Sequence, residues 1–103
     1  DRGQITGGLV DGPLAMDNAI DLGAAATKGI SSLVAGRADI LVSPNMEAGN
    51  MLAKELTFLA QAQAGGIVMG AKCPIILTSR SDDEKSRLAS CAIAALCATP
   101  GGA

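Results

Sequence analysis

Apolar and polar positions follow two rhythms along this chain. Short runs rich in apolar residues, at positions 7–10, 38–42, 67–69 and 75–78, read as strands. Between them apolar residues recur at helical spacing. Pro13 suits the first position of a helix, where a missing N–H costs nothing. Met16, Ala19, Ile20 and Gly23 then share one face, and Leu14, Asn18 and Asp21 another. Gly23 is predicted to break this helix, with one more turn over 24–27 ending at Lys28-Gly29. Residues 30–36 read as loop, with Arg37 leading into the next strand. A second helix is predicted over 46–63, with Ala48, Met51, Leu52, Leu56, Leu59 and Ala60 as its apolar stripe. Gly65-Gly66 stops it. A last helix is predicted over 82–98, with Leu88, Ala92, Ala95 and Leu96 inward and Pro100-Gly101-Gly102 ending it.

The sharpest change of pattern lies at Ile75-Ile76-Leu77-Thr78-Ser79-Arg80-Ser81-Asp82-Asp83-Glu84. Ile75 to Leu77 have the character of a strand buried on both faces. Ser81 followed three residues later by Glu84 has the form of a capping box, which predicts a helix start there. Ser79 and Arg80 then form a two-residue joint between a strand's carboxyl end and a helix's amino end. In open α/β sheets that edge is where ligands bind. A hydroxyl, a planar cation and the N–H groups of a first turn together suit an anion.

Alternating strands and helices predict α/β layers. At 103 residues the chain is one domain or a piece of a larger one, and four short strands do not complete a ligand-binding α/β domain. A start at Asp1 rather than Met is expected of a processed or excised piece. Phe58 is the one aromatic, so there is no base-stacking platform, and a net charge of −2 without a basic run argues against nucleic-acid binding. The chain has no histidine, which excludes from its own residues Ser-His-Asp and Cys-His catalysis and histidine metal ligation. Cys73, Cys91 and Cys97 have neither zinc nor redox spacing and read as small buried apolar residues in a reducing cytosol. No window is long and apolar enough for a membrane span, and no signal peptide is visible. The expected location is cytoplasmic.

Three loops follow predicted strands: Asp11-Gly12-Pro13, Ser43-Pro44-Asn45 with Gly49 and Asn50 beyond it, and Ser79-Arg80. Were the strands parallel, all three would emerge on one edge. Each also has a plainer reading. Asp11-Gly12 forms turns. Asn50 and Lys54, one turn apart, suit a solvated helix face. Asp82, Asp83 and Glu84 suit capping and the helix dipole. Gly49 weakens a first turn and suits a close approach of backbone or ligand. Gly7-Gly8 and Gly65-Gly66 lack phosphate-loop spacing and read as turns.

Taken in order, these blocks resemble one family. Val10-Asp11-Gly12-Pro13-Leu14-Ala15-Met16-Asp17-Asn18-Ala19-Ile20 is similar to the (D/E)GPLALDNAI block of the phosphate acetyltransferase and phosphate butyryltransferase family. Lys28-Gly29-Ile30 and the segment 34–42 resemble its next block. Positions 44–54 resemble its PDLEAGN segment, with Asn45 where Asp is usual, and 64–80 the remainder. The ending Arg87-Leu88-Ala89-Ser90-Cys91-Ala92 is most similar to members fused behind an enoyl-CoA hydratase-like segment.

The resemblance implies a chain of roughly three times this length with two three-layer α/β/α domains, isocitrate/isopropylmalate dehydrogenase-like, around a cleft. Residues 1–79 would be most of the second domain, and 80–103 a carboxyl-terminal helix returning to an absent first domain. It implies interconversion of acyl-CoA and phosphate with acyl phosphate and CoA, by a homodimer with no permanently bound cofactor. Arg80 would clamp the phosphoryl group and Ser79 would donate to the carbonyl or phosphate oxygen. Asp11, Gly12, Asn50 and Lys54 would join them in binding substrate. Acetyltransferase members carry an Asp, the proposed base, seven residues after the Ser; Ser86 stands there in this chain. Asp82 or Asp83 is expected to substitute. Similar domains fused to malic enzymes sense acyl-CoA without catalysis and typically lose the Ser of the Ser-Arg pair, whereas Ser79 is present here. The isolated segment is expected to be inactive.

Overall fold

The computed structural model describes residues 2–99. It divides into two compact units, Asp1–Pro44 and Asn45–Ala103. The predicted helix stop at Pro100-Gly101-Gly102 lies outside the described residues.

The first unit contains α1 (Met16–Ile20) and α2 (Leu22–Thr27). The break between them falls at Asp21 rather than at Gly23. Asp21 adopts an extended conformation and its side chain accepts the Ala24 N–H at 2.7 Å, capping α2. An acidic cap with local hydrogen bonding outcompetes glycine as the breaking signal here. Packed against α1 is the segment around Ala35 and Gly36, both buried. The Gly36 N–H donates to the Asn18 carbonyl at 2.7 Å and the Ala38 N–H to the Ala19 carbonyl at 3.1 Å. Gly36 is required there: its φ is +83°, and a Cβ would stand 2.8 Å from the Leu22 Cα. Ala19, Ala25 and Ala35 form this unit's small core, beside a buried Asn18.

The expected strands at 7–10 and 38–42 do not form. Backbone groups in an extended run need a ladder partner. Among the described residues neither run has one, and Ile40 and Val42 are 83% and 89% exposed.

The second unit opens with α3 (Met46–Lys54), capped by the Asn45 side chain accepting from the Ala48 N–H at 2.8 Å. The predicted α-helix over 46–63 changes type after Lys54. Glu55–Leu59 form a π-helical turn, with the Ala60 N–H reaching back to the Glu55 carbonyl at 3.1 Å. Gln61, at φ +55°, follows this turn. The helix therefore ends several residues before Gly65-Gly66. Of its predicted apolar stripe, Ala48 and Leu52 are half-buried, whereas Met51, Leu56, Leu59 and Ala60 are exposed.

β1 (Ile67–Val68) and β2 (Ile75–Ile76) pair antiparallel, Ile67 opposite Ile76 and Val68 opposite Ile75. This pair is all the sheet among the described residues, so the fold is a partial, mixed α/β arrangement without the parallel edge considered from sequence. Ile75 and Ile76 are each 44% exposed rather than buried on both faces. Pairing continues one residue further through the Leu77 N–H to the Gly66 carbonyl at 3.1 Å.

α4 (Glu84–Ala98) packs on both strands. It starts two residues later than predicted. Asp83, not Ser81, is its cap, accepting the Ser86 N–H at 2.8 Å. Its inward face is Ser86, Ala89, Ser90, Ile93, Ala94 and Cys97, while the expected inward residues Leu88, Ala92, Ala95 and Leu96 are exposed. Close approach decides the matter: Gly65 passes against the Ala89–Ser90 backbone and the Ile93 side chain of α4, and small residues at Ala89 and Ser90 leave it room. The Ser90 hydroxyl meets this segment, accepting from the Gly66 N–H and donating to the Ser86 carbonyl. The cysteines depart from expectation too. All three are free thiols, Cys73 and Cys91 exposed and Cys97 half-buried. Among the described residues no helix is long and apolar enough to cross a membrane.

Candidate active site

The residues 77–83 link β2 to α4, a joint longer than the two residues expected. Its turn is held by a reciprocal pair of bonds. The Ser79 N–H donates to Asp82 Oδ2 at 2.8 Å, and the Asp82 N–H donates to the Ser79 carbonyl at 3.1 Å. Asx-type bonding of this kind fixes a turn without helix or sheet. It sets Ser79, half-buried, and Ser81, exposed, on either side of Arg80.

Lys54, the last residue of α3, reaches both hydroxyls. Its Nζ donates to Ser79 Oγ at 3.1 Å and to Ser81 Oγ at 2.8 Å. The two hydroxyl oxygens are 3.1 Å apart. Lys54 Nζ also stands 5.6 Å from the centre of the Phe58 ring, a cation–π distance. Phe58 comes from the π turn that directly follows Lys54. The ammonium is thus oriented by an aromatic face and two oxygens, none of which carries negative charge. Such a cation keeps its attraction for an anionic guest, since among the described residues no carboxylate pairs with it.

The Arg80 guanidinium is exposed and makes no ion pair among the described residues. Asn50 is exposed on α3, four residues before Lys54. Asp82 holds Ser79 through the turn just described. Asp83 is committed to the cap of α4. The Ser86 backbone N–H, followed by the Ser86 hydroxyl, lowers its pKa below the ordinary carboxylate range.

Asp11 and Gly12 belong to the first unit. The Asp11 carboxylate accepts from the Ser32 hydroxyl and from the Gly12 N–H, the latter at 2.8 Å. The Ser32 hydroxyl bond is the main cause of its lowered pKa. Ser32 Oγ in turn accepts the N–H groups of Val34 and Ala35 at 2.9 and 3.1 Å. Asp11 thereby fastens its own loop to the one that carries Gly36.

In the second unit the structure therefore gathers Lys54 with Ser79 and places Arg80 beside them in the same turn. Sequence reasoning missed Ser81 and Phe58. The signals were a second hydroxyl flanking Arg80, and an aromatic four residues after Lys54 on one helical face.

The family model described as Phosphate acetyl/butaryl transferase matches residues 1–95. A phosphate acetyltransferase of Rhizobium meliloti is 67% identical over 96 residues, covering 93% of this chain and 30% of that protein. A phosphate butyryltransferase of Clostridium beijerinckii is 50% identical over 98 residues, 95% of this chain and 32% of that protein. A phosphate acetyltransferase of Thermotoga maritima is 50% identical over 95 residues, 92% of this chain and 32% of that protein. The chain spans about a third of the length of the curated relatives it matches. With a match along nearly its whole length, the chain belongs to the phosphate acetyl/butyryl transferase family.

Proposed function

We propose that the protein carrying this chain is a phosphate acyltransferase, interconverting acyl-CoA and inorganic phosphate with acyl phosphate and CoA. The observation that carries this reading is the Lys54 ammonium held on two neutral hydroxyls beside Arg80, which has no carboxylate partner among the described residues. Two cations suit a dianionic phosphoryl group, and the Arg fork can bind two of its oxygens at once. Ser79, Asn50, Asp11 and Gly12 complete the proposed substrate-binding set.

Starting from acyl phosphate and CoA, the CoA thiolate sulfur attacks the acyl carbon to form the thioester. The carbon–oxygen bond to phosphate breaks, and phosphate leaves with the bonding electrons. Lys54 and Arg80 favour that departure by stabilising charge on the leaving oxygens. The thiol, with an ordinary pKa of about 8.5, loses its proton to a base. Asp82 or Asp83 would supply that base; Asp82 is held by the Ser79 N–H and Asp83 by the Ser86 N–H.

Residues 1–79 are proposed as most of the second of two three-layer domains of isocitrate/isopropylmalate dehydrogenase type. The final helix would then return to the first domain. The exposed Leu88 and Leu96 on α4 support a further covering layer. A cytoplasmic homodimer without a resident cofactor completes the proposal. The test is formation of acetyl phosphate or butyryl phosphate by the full-length protein from the matching acyl-CoA and phosphate. Turnover that collapses in R80A supports the reading. Tight acyl-CoA binding with no acyl phosphate formed would replace it with an acyl-CoA-sensing role.

A further inference from the structure

A hydroxyl carries one proton and two lone pairs, and at the Lys54 cluster that inventory fixes a direction. Ser79 Oγ receives the Lys54 ammonium at 3.1 Å and the Ser81 N–H at 3.3 Å. Both of its lone pairs are engaged, so its remaining role is to donate. The acceptor within reach is Ser81 Oγ, 3.1 Å away. Ser81 Oγ takes the ammonium at 2.8 Å on one lone pair and the Ser79 proton on the other. Its own proton has no acceptor left inside the cluster. The Ser81 N–H on Ser79 Oγ sets this order, since the ammonium donates equally to both hydroxyls. The chain of donors therefore runs from Lys54 through Ser79 and ends at the exposed Ser81.

We infer that Ser81 is a substrate-binding residue whose hydroxyl donates to a phosphoryl oxygen, with Ser79 orienting it and the Lys54 charge polarising both hydroxyls. This rests on the phosphate acyltransferase reading above. A donor polarised by a cation through a second hydroxyl is stronger than an isolated serine, and it suits a charged oxygen better than a neutral one. Arg80, between the two serines, would meet the same phosphoryl group from its other side.

The test compares the full-length wild type with S81A and S81T, titrating inorganic phosphate by calorimetry and measuring KM for phosphate and for CoA. Loss of one charge-assisted bond should weaken phosphate binding and raise its KM about 10-fold in S81A, with KM for CoA unchanged. S81T, which keeps the hydroxyl, should return both values toward wild type. Unchanged phosphate affinity in S81A overturns the inference. So does an equal loss of phosphate and CoA affinity accompanied by a lower melting temperature, which marks a merely structural role. Should the wild type form no acyl phosphate, the acyltransferase reading fails separately, and calorimetry still decides Ser81. A drop confined to S81A sustains it; equal affinities, or no binding by the wild type, refute it.

Discussion

The backbone N–H of Gly66 donates to the hydroxyl of Ser90 at 2.9 Å, fastening the start of the strand pair to the middle of α4. Ser90 is 1% exposed, and its own proton goes to the Ser86 carbonyl at 3.0 Å. One small side chain thus satisfies a donor that a methyl group could not. S90A should lower stability by about 1–3 kcal/mol, because the Gly66 N–H loses its partner in a half-buried position. Thermal or denaturant unfolding of the full-length protein checks this, and a melting temperature equal to wild type would contradict it.

Gly66 faces a second constraint from the opposite side. A Cβ there would collide with the Leu77 carbonyl oxygen, a backbone atom that cannot swing aside. G66A should therefore part the strands where they lead into the Ser79 turn, costing about 1–3 kcal/mol as overpacking. G65A meets the tip of Ile93 first, at 2.7 Å, and should be milder. Activity should track the same order, since β2 delivers the turn that holds Ser79. Equal stability of the two variants would sink this ranking.

K54M should remove the cation from both hydroxyls and reduce kcat/KM for acyl phosphate by about 10²–10³-fold, the scale expected for deleting one preorganised electrostatic donor. K54R keeps the charge, but a planar fork does not reproduce a point ammonium shared between two oxygens, so rescue should be partial. Steady-state kinetics at fixed CoA give the comparison. Full activity in K54M would place Lys54 outside the site.

The lowered pKa of Asp83 links α4 to pH. A carboxyl whose folded pKa is depressed adds stability that is fully present above its unfolded value, about 3.9, and fades as pH falls through the lower folded value. D83N can still accept the Ser86 N–H but cannot titrate. Its melting temperature should therefore fall less steeply than wild type below about pH 4. Parallel acid limbs for the two proteins would rule out this contribution.

Much of the site's chemistry was legible because it is local. Lys54 was singled out on a polar helix face one turn after Asn50, and Ser79 at a strand exit, and the structure joins them. The strands at 7–10 and 38–42 were not, because apolar character alone cannot tell a paired strand from an extended run without a neighbour. The inward face of α4 was misjudged for a related reason. Leu88 and Leu96 outrank Ser90 and Ala94 in hydrophobicity, but glycine backbone passing close by selects small residues, and that is a long-range fact. Ser81 looked like a helix cap, and Asp83 took that role by being two residues nearer the first turn. Freed from capping, Ser81 is available to Lys54.

The clasp between Ser79 and Asp82 has one more implication. Because each residue supplies the other's missing partner, this loop needs no visitor to acquire its shape. An arriving anion would find the hydroxyls already aimed and would surrender little of its binding free energy to organising protein. Cutting that tether with D82A should therefore show itself as a looser reception for phosphate well before the fold itself gives way.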